Sequence, residues 1–167
     1  MQLKYMGREI EIDEVDAPIL DMRTWIFQKS AQNQSRWYLA ASIGGSKVYL
    51  HRMLLKPPPG MTVDHINGNG LDNRRCNLRV ASRSQNNANR AIAISKSGFK
   101  GVEKTPEGKF RAHISAPMSE RSTHKKMHLG IYARAEDAAR AYDDAAIKRW
   151  GDFARLNFPT KGIAQNV

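Results

Sequence analysis

An aspartate and a histidine stand side by side at Asp64-His65, an asparagine follows twelve positions after the histidine at Asn77, and another lies nine further on at Asn86. These residue types suit the hydrolysis of a phosphodiester. That reaction needs an activated water, a cation on the oxygens that gain charge, and groups that hold both in line. A histidine with an ordinary pKa of roughly 6.5 is largely neutral at cellular pH and can accept a proton from water. Neighbours at the end of a strand leave on opposite faces, so a carboxylate and an imidazole in tandem can divide metal binding from proton transfer. A lone Asp-His pair is common in proteins. The signal lies in the joint spacing.

The elements that must position these residues are legible. Residues 61–93 predict a β-loop-β-α unit: a strand over TVDH, a Gly/Asn/Asp loop, a second strand over NLRV, and a helix opened by Ser82 with Gln85 three residues on, a capping-box pattern. Within the loop, Asn67, Asn69, Asp72 and Asn73 are expected as turn formers. The PPPG run at 57–60 must end whatever precedes it. Ahead of it, REIEID reads as a strand and EVDAPILDM as a short acidic, apolar segment. RTWIF, SRWYLAAS and KVYLHRML then read as three β-rich runs of a meander. Beyond the polar join at 95–98, FKGVEK, KFRAHIS and KKMHLGIY read as short strands, the first two meeting at the turn TPEG. A helix is predicted from Ala135 to Trp150, with Ala138, Ala139, Tyr142, Ala145 and Ala146 at helical spacing and Gly151 at its stop. The expected class is α+β, in two domains over 1–94 and 98–160.

VDHINGN, with Asn77 and Asn86 at their spacings, resembles the HNH nuclease family, whose core wraps two strands and a helix around one divalent metal. Within it the chain is most similar to the phage and intron homing endonucleases, which carry an asparagine where other members have a metal-binding histidine. The resemblance implies that Asp64 and Asn86 ligate the metal, that His65 is the general base, and that Asn77 orients His65 through a loop-spanning hydrogen bond. Oxygen ligands favour Mg²⁺ or Mn²⁺ over zinc. The implied activity is metal-dependent hydrolysis of double-stranded DNA at a chosen site, by a monomer that nicks one strand or a dimer that cuts both. A DNA-binding regulator with an inactive core and a non-specific nuclease are the alternatives. The family often has an HR pair just ahead of the core, so His51 or Arg52 is expected to contact phosphate or to support the site, with a packed structural histidine as the other reading of His51. Arg74, Arg75 and Arg79 crowd the loop and strand beside the site, where they are expected to hold the DNA backbone.

The landmarks of residues 98–160, GFKGVEK, GKFRAHI, KKMHLGIY and AEDAARAYDDAAIKRWGDFARLNFP, resemble the Apetala/ethylene-response-factor domain, a three-stranded antiparallel sheet on one helix that lies in the DNA major groove. Alternation agrees: Phe110, Ala112 and Ile114 point toward the helix and Lys109, Arg111, His113 and Ser115 away from it. Met127 and Leu129 should likewise face the helix, with Lys126 and His128 in solvent. These outward residues, together with Lys100, are the expected DNA contacts of the module. Where plant members present arginines and tryptophans, this chain has Glu103, Thr105, Glu107, His113 and Ser115, and only Lys100 and Lys126 keep a positive charge. Arginine to guanine is the commonest base-specific pairing, so the module should supply position and affinity more than sequence choice.

Charge supports a polyanionic partner. Residues 1–44 hold 5 basic and 6 acidic groups, whereas 45–167 hold 22 against 10, a net +12. No run approaches ~18 consecutive apolar residues and the first residues lack a signal-peptide core, so the cytoplasm of a bacterial or phage-infected cell is the expected location, with no membrane partner. The single Cys76 excludes an internal disulfide and a paired-cysteine zinc site.

Overall fold

The computed structural model describes residues 1–31, 35–90, 96–116 and 126–159. Met6 and Gly7, both at positive φ, close a hairpin of β1 (Gln2–Tyr5) and β2 (Arg8–Glu11). Alternation buries Ile10 and Ile12 and leaves Glu9 at the surface. A 3₁₀ segment, Glu14–Leu20, tucks Leu20 inside and leads to the fully buried Trp25, whose indole N–H donates to the Ile19 carbonyl at 3.2 Å. The meander follows as β3 (Ile26–Lys29), β4 (Trp37–Ile43) and β5 (Ser46–Tyr49), antiparallel with β4 in the middle.

The third run does not stay extended to its end. At Leu50 it turns into a short helix, α1 (Leu50–Leu55), because Leu50, Met53 and Leu54 recur at helical spacing and pack on the core. Lys56, at φ 45°, caps it by donating its N–H to the Arg52 carbonyl at 2.9 Å, and Pro57 follows. His51 and Arg52 therefore stand on a helix, not a strand. After the proline run, β6 (Thr62–His65) pairs antiparallel with β7 (Leu78–Ala81), placing Asp64 opposite Arg79 and His65 opposite Leu78. The capping box forms at the start of α2 (Arg83–Asn89): the Ser82 N–H donates to Gln85 Oε1 at 2.8 Å and the Gln85 N–H to Ser82 Oγ at 3.2 Å. Ile10, Ile12, Trp25, Leu39, Leu50, Val63 and Leu78 share one core beneath these elements.

The described residues divide into two compact units between Asn87 and Ala88. In the second, β8 (Val102–Lys104), β9 (Phe110–Ser115) and β10 (Lys126–Tyr132) form a sheet with β9 central. Against it packs α3 (Ala135–Trp150) through Ala138, Ala139, Tyr142 and Ala146. Gly101, at φ 75°, allows the close approach: a Cβ there would sit 2.0 Å from the Tyr142 ring. Ala112 and Ile114 are buried beneath the helix and Arg111 and Ser115 are exposed, in line with the alternation.

One part of the pattern fails. A bulge lies between His128 and Gly130, so Leu129 packs into the core, Gly130 opposes Ala112, and Ile131 opposes Arg111 on the outer face, 52% exposed. Met127 shares the face of its partner Ile114 but stays 41% exposed, so it does not seal against the helix as expected. The whole is an α+β fold of antiparallel sheets and few helices. Among the described residues no helix is long and apolar enough to cross a membrane.

Candidate active site

The loop after His65 is built by its asparagines and aspartate. Asn67 Oδ1 accepts the Asn69 N–H at 2.8 Å and Asn69 Oδ1 accepts the Leu71 N–H at 3.1 Å, two local turns in succession. Asn77 ties the ends together: its Oδ1 accepts the Asn67 N–H at 3.0 Å, its Nδ2 donates to the Asp72 carbonyl at 2.8 Å, and its own carbonyl accepts the Ile66 N–H at 2.9 Å. Asn77 thus fixes the backbone on which His65 sits. Asp72, fully enclosed, receives Arg74 Nε at 2.9 Å, Arg74 Nη2 at 2.7 Å and Asn67 Nδ2 at 2.8 Å.

The acidic opening of the chain supports this loop. The Glu11 N–H donates to the Leu71 carbonyl at 3.0 Å and the Asn73 N–H to the Glu11 carbonyl at 2.6 Å, a parallel bridge at the end of β2. Arg74 reaches Glu11 at 3.0 Å, and Arg75 forks onto Asp16 at 2.7 and 2.8 Å while its N–H donates to Asp13 at 2.8 Å. Gly70 lies flush on β4, where a Cβ would be 2.3 Å from the Trp37 carbonyl and 2.5 Å from the Tyr38 ring. Nothing in residues 1–44 carries the sequence pattern of the site. Their part in it arises from contact.

β6, the loop and α2 bring Asp64, His65 and Asn86 to the lining of one cavity of about 360 Å³. Asp64 is 4% exposed, and its Oδ2 receives Arg79 Nε at 2.9 Å and Nη2 at 2.8 Å from the facing strand. His51 joins His65 with ring centroids 4.9 Å apart, edge to face, while stacking on Tyr49 at 5.5 Å. Tyr38 abuts both imidazoles, at 5.6 and 5.8 Å. Burial, then the neighbouring charges of His65 and Arg52, hold His51 down at about 3. Burial likewise lowers His65 to about 4, with Arg36 adding to the effect and Asn73 and Asp72 opposing it. Both imidazoles are neutral at neutral pH, so each has a nitrogen able to accept a proton.

A carboxylate and a carboxamide lining the same cavity make an oxygen donor set that fits a hard divalent cation. Among the described residues no group of three His, Cys, Asp or Glu forms a richer metal cluster.

Residues 56–88, which contain β6, the loop, β7 and most of α2, match the HNH endonuclease family. Over 133 residues the chain is 32% identical to a protein of Acanthamoeba polyphaga mimivirus named as an HNH endonuclease, covering 73% of this chain and 66% of that one. The chain belongs to the HNH endonuclease family. It is also similar to plant transcription factors: 46% identical over 65 residues to dehydration-responsive element-binding protein 2E of Arabidopsis thaliana, and 46% over 61 residues to ethylene-responsive transcription factor 3 of Nicotiana tabacum. Each match covers 36% of this chain, which spans about a quarter of those two proteins, 27% and 25%.

The arginines expected at DNA divide by their partners. In the HNH segment Arg74, Arg75 and Arg79 are each bound to carboxylates, so their charge is already balanced within the unit. Arg52 lines the cavity and donates to the Met61 carbonyl at 3.3 Å. In the second unit Lys109, Arg111, Ser115, Lys126 and His128 are exposed and His113 is half-buried. The outer face is less uniformly basic than its alternation suggests, because Glu103 sits within it, 2.7 Å from Lys126 Nζ and 3.6 Å from His113 Nε2. Ile131 borders the same shallow hollow.

Lys100 departs from expectation. Its Nζ donates to the carbonyls of Ala88 and Arg90 and lies 5.9 Å from the centre of the Tyr142 ring, on the helix side of the sheet. Burial lowers its pKa to about 8. The carbonyls at the end of α2 draw the ammonium inward, away from the outer face. Among the residues of the cavity that escaped sequence reasoning or were left undecided by it are Arg36, Tyr38, Tyr49 and His51. Only the HR pair at the end of KVYLHRML gave a signal, and it named no partner.

Proposed function

We propose that this HNH family member is a metal-dependent endonuclease that hydrolyses phosphodiester bonds in double-stranded DNA, nicking one strand at a directed site in the manner of a homing enzyme. One observation carries the reading: Asp64, His65 and Asn86, from a strand end and a helix, line a single cavity. Asp64 and Asn86 are the residues that would hold Mg²⁺ or Mn²⁺, and a bound ion would supply charge stabilisation to the phosphate oxygens. His65, kept neutral by burial, takes the proton of the attacking water, and Asn77 holds the backbone that aims it. The outer sheet face of the second unit, with Lys109, Arg111, His113, Ser115, Lys126 and His128, anchors the duplex in its major groove. One such centre acts on one phosphodiester at a time, so a monomer nicks.

Supercoiled DNA bearing the target, incubated with the protein and Mg²⁺, should become open circles, and EDTA should abolish the change. His65→Ala should lower the rate by about 10²–10⁴-fold while gel-shift affinity stays the same. Cutting that survives this substitution would remove His65 from its role. Cutting of every DNA at random would replace the site-directed part with a non-specific nuclease.

A further inference from the structure

The arginines that do not pair with carboxylates are the informative ones. Among the described residues no carboxylate is bound by Arg36 or Arg52, yet both line the cavity that holds Asp64, His65 and Asn86. Beside them His51 is 8% exposed, and its Nδ1 has no hydrogen-bond partner among the described residues. A buried polar atom left unmatched is unfavourable, and phenylalanine would fill the same niche between Tyr49 and His65 without that cost. Packing alone does not account for a histidine here. Two arginines and an unmatched imidazole lining one cavity suit an anion.

We propose that Arg36, Arg52 and His51 form a phosphate-binding subsite that seats a phosphodiester of the DNA backbone against Asp64 and His65. The proposal rests on the nuclease reading of the same cavity. All three residues precede the segment 56–88 that matches the HNH family, so the subsite is contributed by the meander and α1. Arg36 immediately precedes β4 and Arg52 stands on α1, two elements whose Leu39 and Leu50 share the core. The core therefore holds the backbone that carries both arginines in place before DNA arrives. A planar guanidinium matches two phosphate oxygens at once, and the imidazole adds one donor with no further charge. A cavity of about 360 Å³ admits a phosphodiester with room for a water.

The test uses the full chain without metal and dimethyl phosphate, a phosphodiester too small to engage the sheet face of the second unit. Histidine ring resonances are followed by NMR at constant ionic strength, with His51 assigned from the spectrum of His51→Phe. In the unaltered protein the His51 resonances should shift and saturate. Arg36→Gln and Arg52→Gln should each weaken that binding about tenfold, and Arg36→Lys should recover part of the loss. Dispersed spectra of each variant confirm that it is folded. Absence of a His51 shift, or the same titration in Arg36→Gln, overturns the subsite. Plasmid nicking by the same preparation after Mg²⁺ is added separates the two readings: binding without nicking upholds the subsite and fells the nuclease, whereas nicking without a His51 shift fells the subsite alone.

Discussion

Asp64 is nearly enclosed, and the cation that balances it comes from the neighbouring strand, not from solvent. Removing one partner of so buried a pair costs about 3–5 kcal/mol, because a carboxylate is left without compensation. Arg79→Ala should therefore lower the urea midpoint in EDTA. If Asp64 holds the metal, Mg²⁺ should restore part of that midpoint, because the ion replaces the lost charge; an unchanged midpoint on adding Mg²⁺ would speak against Asp64 as a ligand. Asp72 belongs to the same scale. Burial pushes its carboxyl up, but the Arg74 hydrogen bonds and charge outweigh burial and leave it below its ordinary value of 3.8. A carboxylate lowered on folding stabilises fully above its unfolded pKa and loses that contribution as pH falls through the folded one. Urea midpoints measured from about pH 5 down to about pH 2 should fall, and Asp72→Asn should flatten part of that slope while lowering the midpoint at neutral pH.

At the scale of elements, the site is as rigid as the loop between β6 and β7. Gly70→Ala forces a methyl group against the Trp37 carbonyl and the Tyr38 ring, so the loop must lift from β4. Such overpacking costs about 1–3 kcal/mol, and nicking should fall with it, since the loop carries the backbone of His65. Urea denaturation followed by circular dichroism reads the first effect and the plasmid assay the second. Ser82→Ala, which removes one arm of the capping box, should cost about 1 kcal/mol and loosen the helix that bears Asn86. These elements were legible beforehand: local chemistry at Ser82, Gln85 and the Asn-rich loop dictates its own geometry. The bulge that turns Ile131 outward was not, because the alternation of KKMHLGIY fits either parity until β9 fixes the register. Nor was α1, whose aromatic and β-branched lead-in reads as strand until Leu50, Met53 and Leu54 find a core.

For the whole molecule, charge asymmetry governs the encounter with DNA. Glu11 and Asp16 of the acidic first quarter pair internally with Arg74 and Arg75, and the chain as a whole keeps a net +11 to set affinity. Binding measured by fluorescence anisotropy should fall steeply with salt. Arg111→Gln or Lys126→Gln should each reduce the log–log slope by about 1 if its side chain neutralises a phosphate. Glu103→Gln should act in the opposite sense and tighten binding, because Lys126 is released from its 2.7 Å pair. A flat salt response would remove the basic sheet from the account.

What the sequence determined by itself was local and chemical: the Asp64-His65 tandem with Asn77 and Asn86, the β-loop-β-α unit around it, the capping box, and the three-strand-and-helix module behind. Each rests on interactions between residues close in the chain, where residue type and spacing suffice. Only the tertiary structure decided who neutralises whom. Arg79 meets Asp64, Arg74 and Arg75 meet the acidic opening, Lys100 turns to the end of α2, and Arg36 and His51 reach the cavity from elements far up the chain. Ion pairs and cavity walls are set by distance in space. Composition supplies the charges but not the neighbours.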